Sequence, residues 1–370
     1  MGMRIFISAG EPSGDLHASA LVRSLKRLLP DAYFFGMGGS LMRREGVELI
    51  HSFEEKSVIG FLEAIFEFKH LHRVMADLVR AARTADIAIM VDYPGFNLKL
   101  ASHIKRYGVN TVYYIVPQVW AWGGWRIRSL KRYIDLALVI LPFEEPLLRR
   151  YGIDARFVGH PIVDMVKSDN DIVELNHGKR WTVGLLPGSR PDEIRRLLPR
   201  MMEIKRQLAE KLNQDVFFLL SLVDNRFLND ELLHEPDIMV LQGRARGIMR
   251  ASDIVLLASG TASLEAGLIG VPMVVLYMLS DVSWLLAKLM ARVEYTSLVN
   301  ILLDEEVVPE FIQHVHADEI AGLMHDLITN DELRQKMVNR LAELHALLSR
   351  RGAAERAAGY IVEKFAGSRP

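Results

Sequence analysis

Cysteine is absent from this 370-residue chain, which removes disulfides, thiolate catalysis and Cys-based metal sites from consideration. An excess of either charge is absent too. The 45 Lys and Arg against 46 Asp and Glu leave a net charge of -1, so no broad basic surplus points to a nucleic-acid partner. Long apolar runs are missing: the longest fall far short of the ~18 residues a spanning helix needs. No signal peptide is expected, because residues 3–8 read as a short strand that leads straight into a glycine turn. The chain is expected to be cytoplasmic, either soluble or lying on a membrane without crossing it. Internal repeats and low-complexity segments are lacking as well.

What is present is an ordinary globular balance, 50% hydrophobic and 25% charged, on a chain long enough for two domains with their own cores. Short β-rich runs alternate with helical patterns. In the first half they are Arg4–Ser8, Tyr33–Gly36, Ile87–Asp92, Thr111–Val116 and Leu136–Leu141. In the second they are Thr182–Leu186, Val216–Ser221, Ile238–Leu241, Ile254–Leu257 and Met273–Tyr277. Near-continuous apolar strands separated by helices indicate parallel sheets covered on both faces. The polar stretch Lys167–Lys179 has no periodicity and separates the two sets, while Asp318–Ala366 is helical in pattern throughout. The predicted fold is therefore α/β, with doubly wound parallel-sheet domains at 1–166 and 180–345 facing each other across a cleft. The site is expected at the carboxyl ends of the strands. The C-terminal segment 346–370 is expected to form a helix that packs back on the first domain.

Two strand-to-helix turns of the second half carry the clearest functional signal. One is Leu185–Arg190 (LLPGSR) and the other Ala258–Glu265 (ASGTASLE). Each sets Gly and a hydroxyl residue where a helix begins, so free N–H groups and a positive dipole end face outward, an arrangement that suits a pyrophosphate. Glu265 lies four residues after Thr261 on the same helical face, about 6 Å further along the axis. A carboxylate there suits a ribose diol better than a phosphate. Either turn alone reads equally well as a simple helix cap; the pair, with Arg190 and Glu265, favours a nucleotide site.

In the first half, β-like Arg4–Ser8 runs into Gly10-Glu11-Pro12-Ser13-Gly14-Asp15-Leu16-His17. The three-glycine dinucleotide spacing is missing. Ser13 or Asp15 is suited to cap the following helix, which leaves Glu11 and His17 polar at the mouth of the sheet. Asp92 emerges from an apolar run just before Tyr93-Pro94-Gly95, at the edge where catalytic groups gather. Trp120, Trp122 and Trp125 crowd one loop after another strand; they either pack between domains or meet an apolar ligand. His160 closes the first domain. Metal binding has little support: Asp169-Asn170-Asp171 sits in the polar linker and reads as a solvated loop, His314 and His316 read as surface residues, and no helix carries a zinc-type pair.

Phe61–Val79 has an unusual helical pattern. At 100° per residue, Phe61, Leu62, Ile65, Phe66 and Phe68 share one arc, whereas Leu71, Val74, Met75, Leu78 and Val79 fall largely opposite. One core does not cover both arcs, so part of the first is expected to be exposed. Lys69, His72 and Arg73 follow on the same side, where they suit anionic head groups. A kinked helix with both arcs buried is the alternative.

Taken together, the stretches Ser8–Ala18 (SAGEPSGDLHA), Asp92–Asn97 (DYPGFN), Pro117–Trp122 (PQVWAW), Leu141–Glu144 (LPFE), Gly159–Pro161 (GHP), Leu185–Arg190, Glu193–Leu198 (EIRRLL), Ala258–Glu265 and Ser297–Gln313 make the chain resemble the lipid-A-disaccharide synthase family, bacterial glycosyltransferases that join two acylated glucosamine units. The resemblance spans nearly the whole chain, and its first and third pieces are the most specific. It implies a GT-B fold and an inverting transfer, without metal or cofactor, from UDP-2,3-diacylglucosamine to 2,3-diacylglucosamine 1-phosphate. The products are a β(1→6) disaccharide and UDP. It also implies work on the inner face of the cytoplasmic membrane, with a homodimer left open.

Under that reading Asp92 is the base, with Glu11 and His17 as alternatives; His17 has acceptor-phosphate binding as a second option. Ser189, Arg190, Gly260 and Thr261 hold the pyrophosphate and Glu265 the ribose. The matching motifs add Ser13, Gly14, Asn97, Gln118, Trp120, Ser259 and Asn300 to the substrate and UDP contacts. Membrane contact falls to Phe61, Leu62, Ile65, Phe66, Lys69 and Arg73. The chain departs from the family pattern at Gly123-Gly124, where relatives usually carry basic residues, and at Val299, where they usually carry Pro. Competing readings are another GT-B UDP-sugar enzyme, such as a lipid-linked N-acetylglucosaminyltransferase or a UDP-sugar 2-epimerase, or a non-catalytic UDP-sugar or lipid-binding protein.

Overall fold

The computed structural model describes residues 2–55, 64–121, 123–168, 171–175, 178–223, 227, 235–279, 294–348 and 351–367, with the side chains of 55 and 64–70 outside the description. The chain divides into two compact units, Met1–Pro161 with Arg350–Pro370, and Ile162–Ser349.

The first unit holds a seven-stranded sheet of order β3-β2-β1-β4-β5-β6-β7. Its strands are β1 (Arg4–Ala9), β2 (Tyr33–Gly38), β3 (Glu48–Ser52), β4 (Ile87–Val91), β5 (Asn110–Tyr114), β6 (Leu136–Val139) and β7 (Ala155–Phe157). All pairings are parallel. Alternate residues of β1 feed two different cores. Ile5, Ile7 and Ala9 join Leu21 and Leu25 of the Pro12–Leu28 helix on one face, and Phe6 joins Val74, Leu78 and Met90 on the other. Burial of each such side chain contributes about 1.5–3 kcal/mol, so a strand apolar on both faces is stable only between two helical layers. One layer includes the C-terminal Ala353–Phe365 helix, whose Ala357, Ala358 and Ile361 are buried in the first of these cores. Arg356 Nε donates to the Val158 carbonyl at 2.8 Å and Lys364 Nζ to Asp154 Oδ2 at 2.6 Å, which anchors that helix.

The second unit holds a six-stranded parallel sheet of order β10-β9-β8-β11-β12-β13, formed by β8 (Trp181–Leu186), β9 (Val216–Leu222), β10 (Ile238–Gln242), β11 (Ile254–Ala258), β12 (Met273–Tyr277) and β13 (Glu310–Ile312). The helices Ala317–Thr329 and Asp331–Leu348 follow. The sequence reading missed β3, β7 and β13. Each is a short strand at a sheet edge, and β3 and β13 are half-exposed along their length. Such strands lack the continuous apolar run that marks a central one.

In each sheet the strand order reverses once. The first two crossovers run to one side, and the chain then returns to the other side of its starting strand, between β1 and β4 and between β8 and β11. In α/β sheets, ligands bind at the carboxyl ends beside such a reversal. Those ends lead into Gly10–His17 and Asp92–Asn97 in the first unit, and into Pro187–Arg190 and Ser259–Glu265 in the second. Among the described residues, no helix is long and apolar enough to cross a membrane.

Candidate active site

The turn after β1 is shaped by close approach. A Cβ on Gly10 would lie 2.2 Å from Cδ1 of the Tyr93 ring, so only glycine leaves room. Glu11 is the N-cap residue in extended conformation, and its side chain makes no cap. Ser13 and Asp15, expected to cap this helix, lie inside it. Ser13 is exposed. Asp15 is buried and reaches outward to accept from the N–H groups of Gly39 at 2.8 Å, Leu41 at 2.9 Å and Met42 at 3.1 Å. It thus caps the Ser40–Arg44 helix next door, because those orphan N–H groups are what a carboxylate on the neighbouring helix meets. Gly14 is buried, with its ideal Cβ position 3.4 Å from Ala9 Cβ.

At the end of β4, Asp92 (φ 48°) and Tyr93 (φ 50°) occupy the left-handed region in succession. Each non-glycine residue there costs about 1–2 kcal/mol, so the turn persists only because its surroundings hold it. The Asp92 N–H donates to Tyr114 O at 3.0 Å, and its carbonyl accepts from Asn97 Nδ2 and Tyr113 Oη, both at 2.8 Å. Asn97 is fully buried. Its amide also faces Val91 O at 3.1 Å and Ser8 O at 3.2 Å, and its Oδ1 accepts from Ser8 Oγ at 2.8 Å. Asn97 was expected among the substrate contacts; its amide is engaged inside the turn that carries Asp92. The Asp92 carboxyl is pushed up to about 6, by burial first and then by the like charge of Glu11, against a smaller opposing effect of the Tyr93 N–H. That is high for a carboxylate and matched to proton abstraction near neutral pH.

His17 is half-buried, and burial lowers its imidazole to about 4. His160 is buried and lowered to about 3, by burial first and then by His17 nearby. Both are neutral at pH 7, so His17 offers a phosphate an N–H rather than a charge. Gln118 is exposed. Trp120 is tied by Nε1 to Glu144 Oε1 at 3.0 Å, a partner that the sequence reading recorded only as the last letter of LPFE. Trp122 lies outside the described residues. Trp125 is 66% exposed, with the Arg126 guanidinium 5.1 Å over its ring. Gly123 has φ 74°, and its ideal Cβ position is 3.5–3.6 Å from the Arg126 side chain. A cation thus lies against Gly123.

In the second unit, Gly188 (φ 102°) faces Glu193, whose Oε2 would lie 2.7 Å from a Cβ there. Arg190 is the N-cap of the Pro191–Lys211 helix and pairs with Glu193 at 3.1 Å, its side chain 79% exposed. Ser189 is exposed beside it. After β11, Ser259 Oγ donates to Thr296 O at 2.9 Å. Gly260 (φ 148°) has nothing within 4 Å of an ideal Cβ. The Thr261–Ile269 helix then starts with no side-chain cap and no acidic residue in its first turn, so its positive dipole end is not offset from within the helix. Glu265 Oε2 accepts from Arg246 Nε at 2.6 Å. Sequence reasoning passed over Arg246; the available signal was Gly-Arg-Ala-Arg directly after β10.

Asn300 was expected to touch the nucleotide. It is buried, its Nδ2 donating to Val308 O at 2.8 Å and Glu310 Oε1 at 2.6 Å, and its Oδ1 accepting from Val307 N and Val308 N. Every polar valence of that amide is thereby used within the fold. Val299 is fully buried in the first turn of the Leu298–Leu303 helix, where a backbone N–H has no intrahelical partner. The linker also differs from the sequence expectation. Asp169 and Asn170 lie outside the described residues, but Asp171 accepts from Arg244 Nε at 2.8 Å rather than being simply solvated. Among the described residues, no group of three or more His, Asp or Glu is arranged to hold a metal ion.

The membrane-contact expectation falls mostly outside the description. Phe61 and Leu62 lie outside the described residues, as do the side chains of Ile65, Phe66 and Lys69. On the Ala64–Ala82 helix, Arg73 is exposed, Val74 and Leu78 are buried, and Met75 and Val79 pack on the core. Leu71, placed on the buried arc by its spacing, is 44% exposed.

A family model described as lipid-A-disaccharide synthetase matches residues 5–365. Among curated relatives, the lipid-A-disaccharide synthase of Myxococcus xanthus is 40% identical over 371 residues, 97% of each chain. That of Geobacter sulfurreducens is 38% identical over 373 residues, again 97% of each. Among solved structures, a UDP co-structure of S. aureus MnaA superposes with a TM-score of 0.68 at 14% identity, covering 100% of this chain and 99% of that one. A UDP-N-acetylglucosamine 2-epimerase structure from Listeria monocytogenes gives 0.66 at 12% identity, covering 100% and 98%. At such identities the likeness concerns the fold alone: two parallel-sheet α/β domains of GT-B type.

Proposed function

The chain belongs to the lipid-A-disaccharide synthetase family, and from that premise we propose how its residues carry the reaction. It is a glycosyltransferase of lipid A biosynthesis that joins UDP-2,3-diacylglucosamine to 2,3-diacylglucosamine 1-phosphate. The acceptor 6-hydroxyl attacks the anomeric carbon, the C–O bond to UDP breaks on the opposite face, and the configuration inverts to β(1→6). Asp92 takes the hydroxyl proton. The observation that carries this assignment is the left-handed Asp92 turn, held by Asn97 and Tyr113, with its carboxyl raised to about 6 by burial. Glu11, whose like charge contributes to that rise, is the reserve candidate.

The leaving pyrophosphate is assigned to the uncapped start of the Thr261–Ile269 helix, with Gly260 leaving the approach open and Ser189 and Arg190 adding donors. These groups supply the positive potential, so no metal is required. Glu265, paired with Arg246, takes the ribose hydroxyls. Both substrates carry acyl chains, so the protein works on the membrane surface at the cytoplasmic face, docked through Phe61, Leu62, Ile65, Phe66, Lys69 and Arg73. The direct test is to incubate purified protein with both acylated monosaccharides. Disaccharide 1-phosphate and UDP are expected; their absence, or conversion of a UDP-sugar without acceptor, overturns the reading.

A further inference from the structure

Beneath the tryptophan loop of the first unit lies a buried carboxylate whose partners among the described residues are uncharged N–H donors. Glu144, the first residue of the Glu144–Arg150 helix, is 3% exposed. Its Oε2 accepts from Leu141 N at 3.0 Å and Ile140 N at 3.3 Å, and its Oε1 from Trp120 Nε1 at 3.0 Å. Both oxygens therefore act as acceptors. A carboxylate meets that demand; a glutamine of the same shape has to turn its NH₂ toward one of the donors. The Trp120 ring is fixed a second time, edge-on to Phe143 with centroids 5.2 Å apart and planes at 87°. On either side of it, Val119 and Ala121 are buried.

The loop leaves the sheet where the chemistry is assigned. Tyr114 at the end of β5 is in register with Val91 at the end of β4, so residues 115–120 depart from the same edge as Asp92. Trp120 itself is only half-buried. An indole locked at its nitrogen and one edge presents its remaining surface in a single orientation, which suits the apolar C–H face of a pyranose.

We propose that Glu144 is a positioning residue: through Trp120 Nε1 it fixes the indole as the platform on which the acceptor sugar lies beside Asp92. This rests on Asp92 being the base for the acceptor hydroxyl. Burial raises the Glu144 carboxyl to about 7, against the opposing effect of its three N–H donors.

The test is a set of steady-state measurements on wild type, E144Q, W120F and the double variant, with each substrate varied in turn. W120F keeps an aromatic ring and deletes the N–H. The expected result is a roughly 10-fold rise in acceptor KM for E144Q, with kcat and donor KM held within about 2-fold. The expected cycle is non-additive, so that E144Q adds nothing in the W120F background. Unchanged acceptor KM, an equal rise in donor KM, or fully additive effects overturn the proposal. If E144Q fails to fold, W120F decides alone: its acceptor KM must rise while donor KM stays constant. Wild-type protein that transfers no sugar sinks the functional reading itself, whereas active wild type with indifferent variants sinks only the role of Glu144.

Discussion

The side-chain amide of Asn97 donates to the main-chain carbonyl of Asp92 at 2.8 Å, from five residues further along the chain. Through it the start of one helix holds the end of β4 in a conformation that Asp92 would not adopt alone. Removing the amide should let the turn relax. Asn97→Ala is expected to lower kcat at least ~10-fold and to destabilise the fold by about 1–3 kcal/mol, since Ser8 Oγ and several carbonyls lose a buried partner. Kinetics beside thermal melts check this; wild-type kcat with a lowered melting point would mean that Asn97 serves the fold and not the base.

Asp92→Asn should reduce turnover by at least ~10² with UDP affinity nearly unchanged, because Asp92 belongs to the first unit and the nucleotide turns to the second. In wild type the active form is the carboxylate, so kcat/KM should fall as pH drops through about 6.

Stability runs the other way. The folded carboxyl is raised from 3.8 to about 6, so its contribution is complete below pH 3.8 and is lost as pH rises through 6, by at most about 3 kcal/mol. Asp92→Asn should therefore melt several degrees above wild type at pH 8 and close to it at pH 4. Turnover within a few-fold of wild type would move the base to Glu11 or His17.

Arg190→Ala and Glu265→Ala should each weaken UDP binding by roughly 10–100-fold, the worth of a charge-assisted hydrogen bond. Arg246→Ala should follow Glu265→Ala, because it frees the carboxylate that Arg246 now orients. Calorimetry on the purified variants is the measurement, and unchanged affinity in the first two would remove the nucleotide from the second unit.

Adding EDTA should leave activity intact, since helix N-termini and Arg190 are assigned the leaving charge. Loss of activity that Mn²⁺ or Mg²⁺ restores would require a cation in the mechanism.

The triple change of Phe61, Leu62 and Phe66 to Ser should release the protein from anionic vesicles while preserving its circular dichroism. Undiminished vesicle binding would put the docking surface elsewhere, and loss of the fold would put these residues in the core.

Much of the candidate site was legible as location. Asp92 stood out because an acid after Ile87–Val91 interrupts an apolar strand at a Pro-Gly turn, and Gly260-Thr261 because glycine and a hydroxyl mark a helix start. Partners were not legible. Nothing local to Glu144 points to Trp120, 24 residues earlier, or to Glu265 from Arg246, since these meetings depend on which strands adjoin. Asn97 and Asn300 read as ligand contacts because polar residues in motifs look alike, whether they face a substrate or brace a buried carbonyl.

Sequence alone determined the α/β class and the alternation of the central strands with helices, because continuous apolar runs of strand length are stable only between two helical layers; the short edge strands β3, β7 and β13 carry no such run. Sequence also marked the helix start at Gly260-Thr261, where glycine and a hydroxyl act through their own backbone, but not the start after β1, where Ser13 and Asp15 read as caps and Glu11 is the N-cap. The strand orders, with their reversals beside β1 and β4 and beside β8 and β11, were decided by tertiary structure. So was the conversion of Asp92 from an ordinary carboxylate into one raised to about 6. Both depend on contacts between residues far apart in the chain: burial and the charge of Glu11 are properties of the packed sheet edge, and no stretch of sequence around Asp92 carries them.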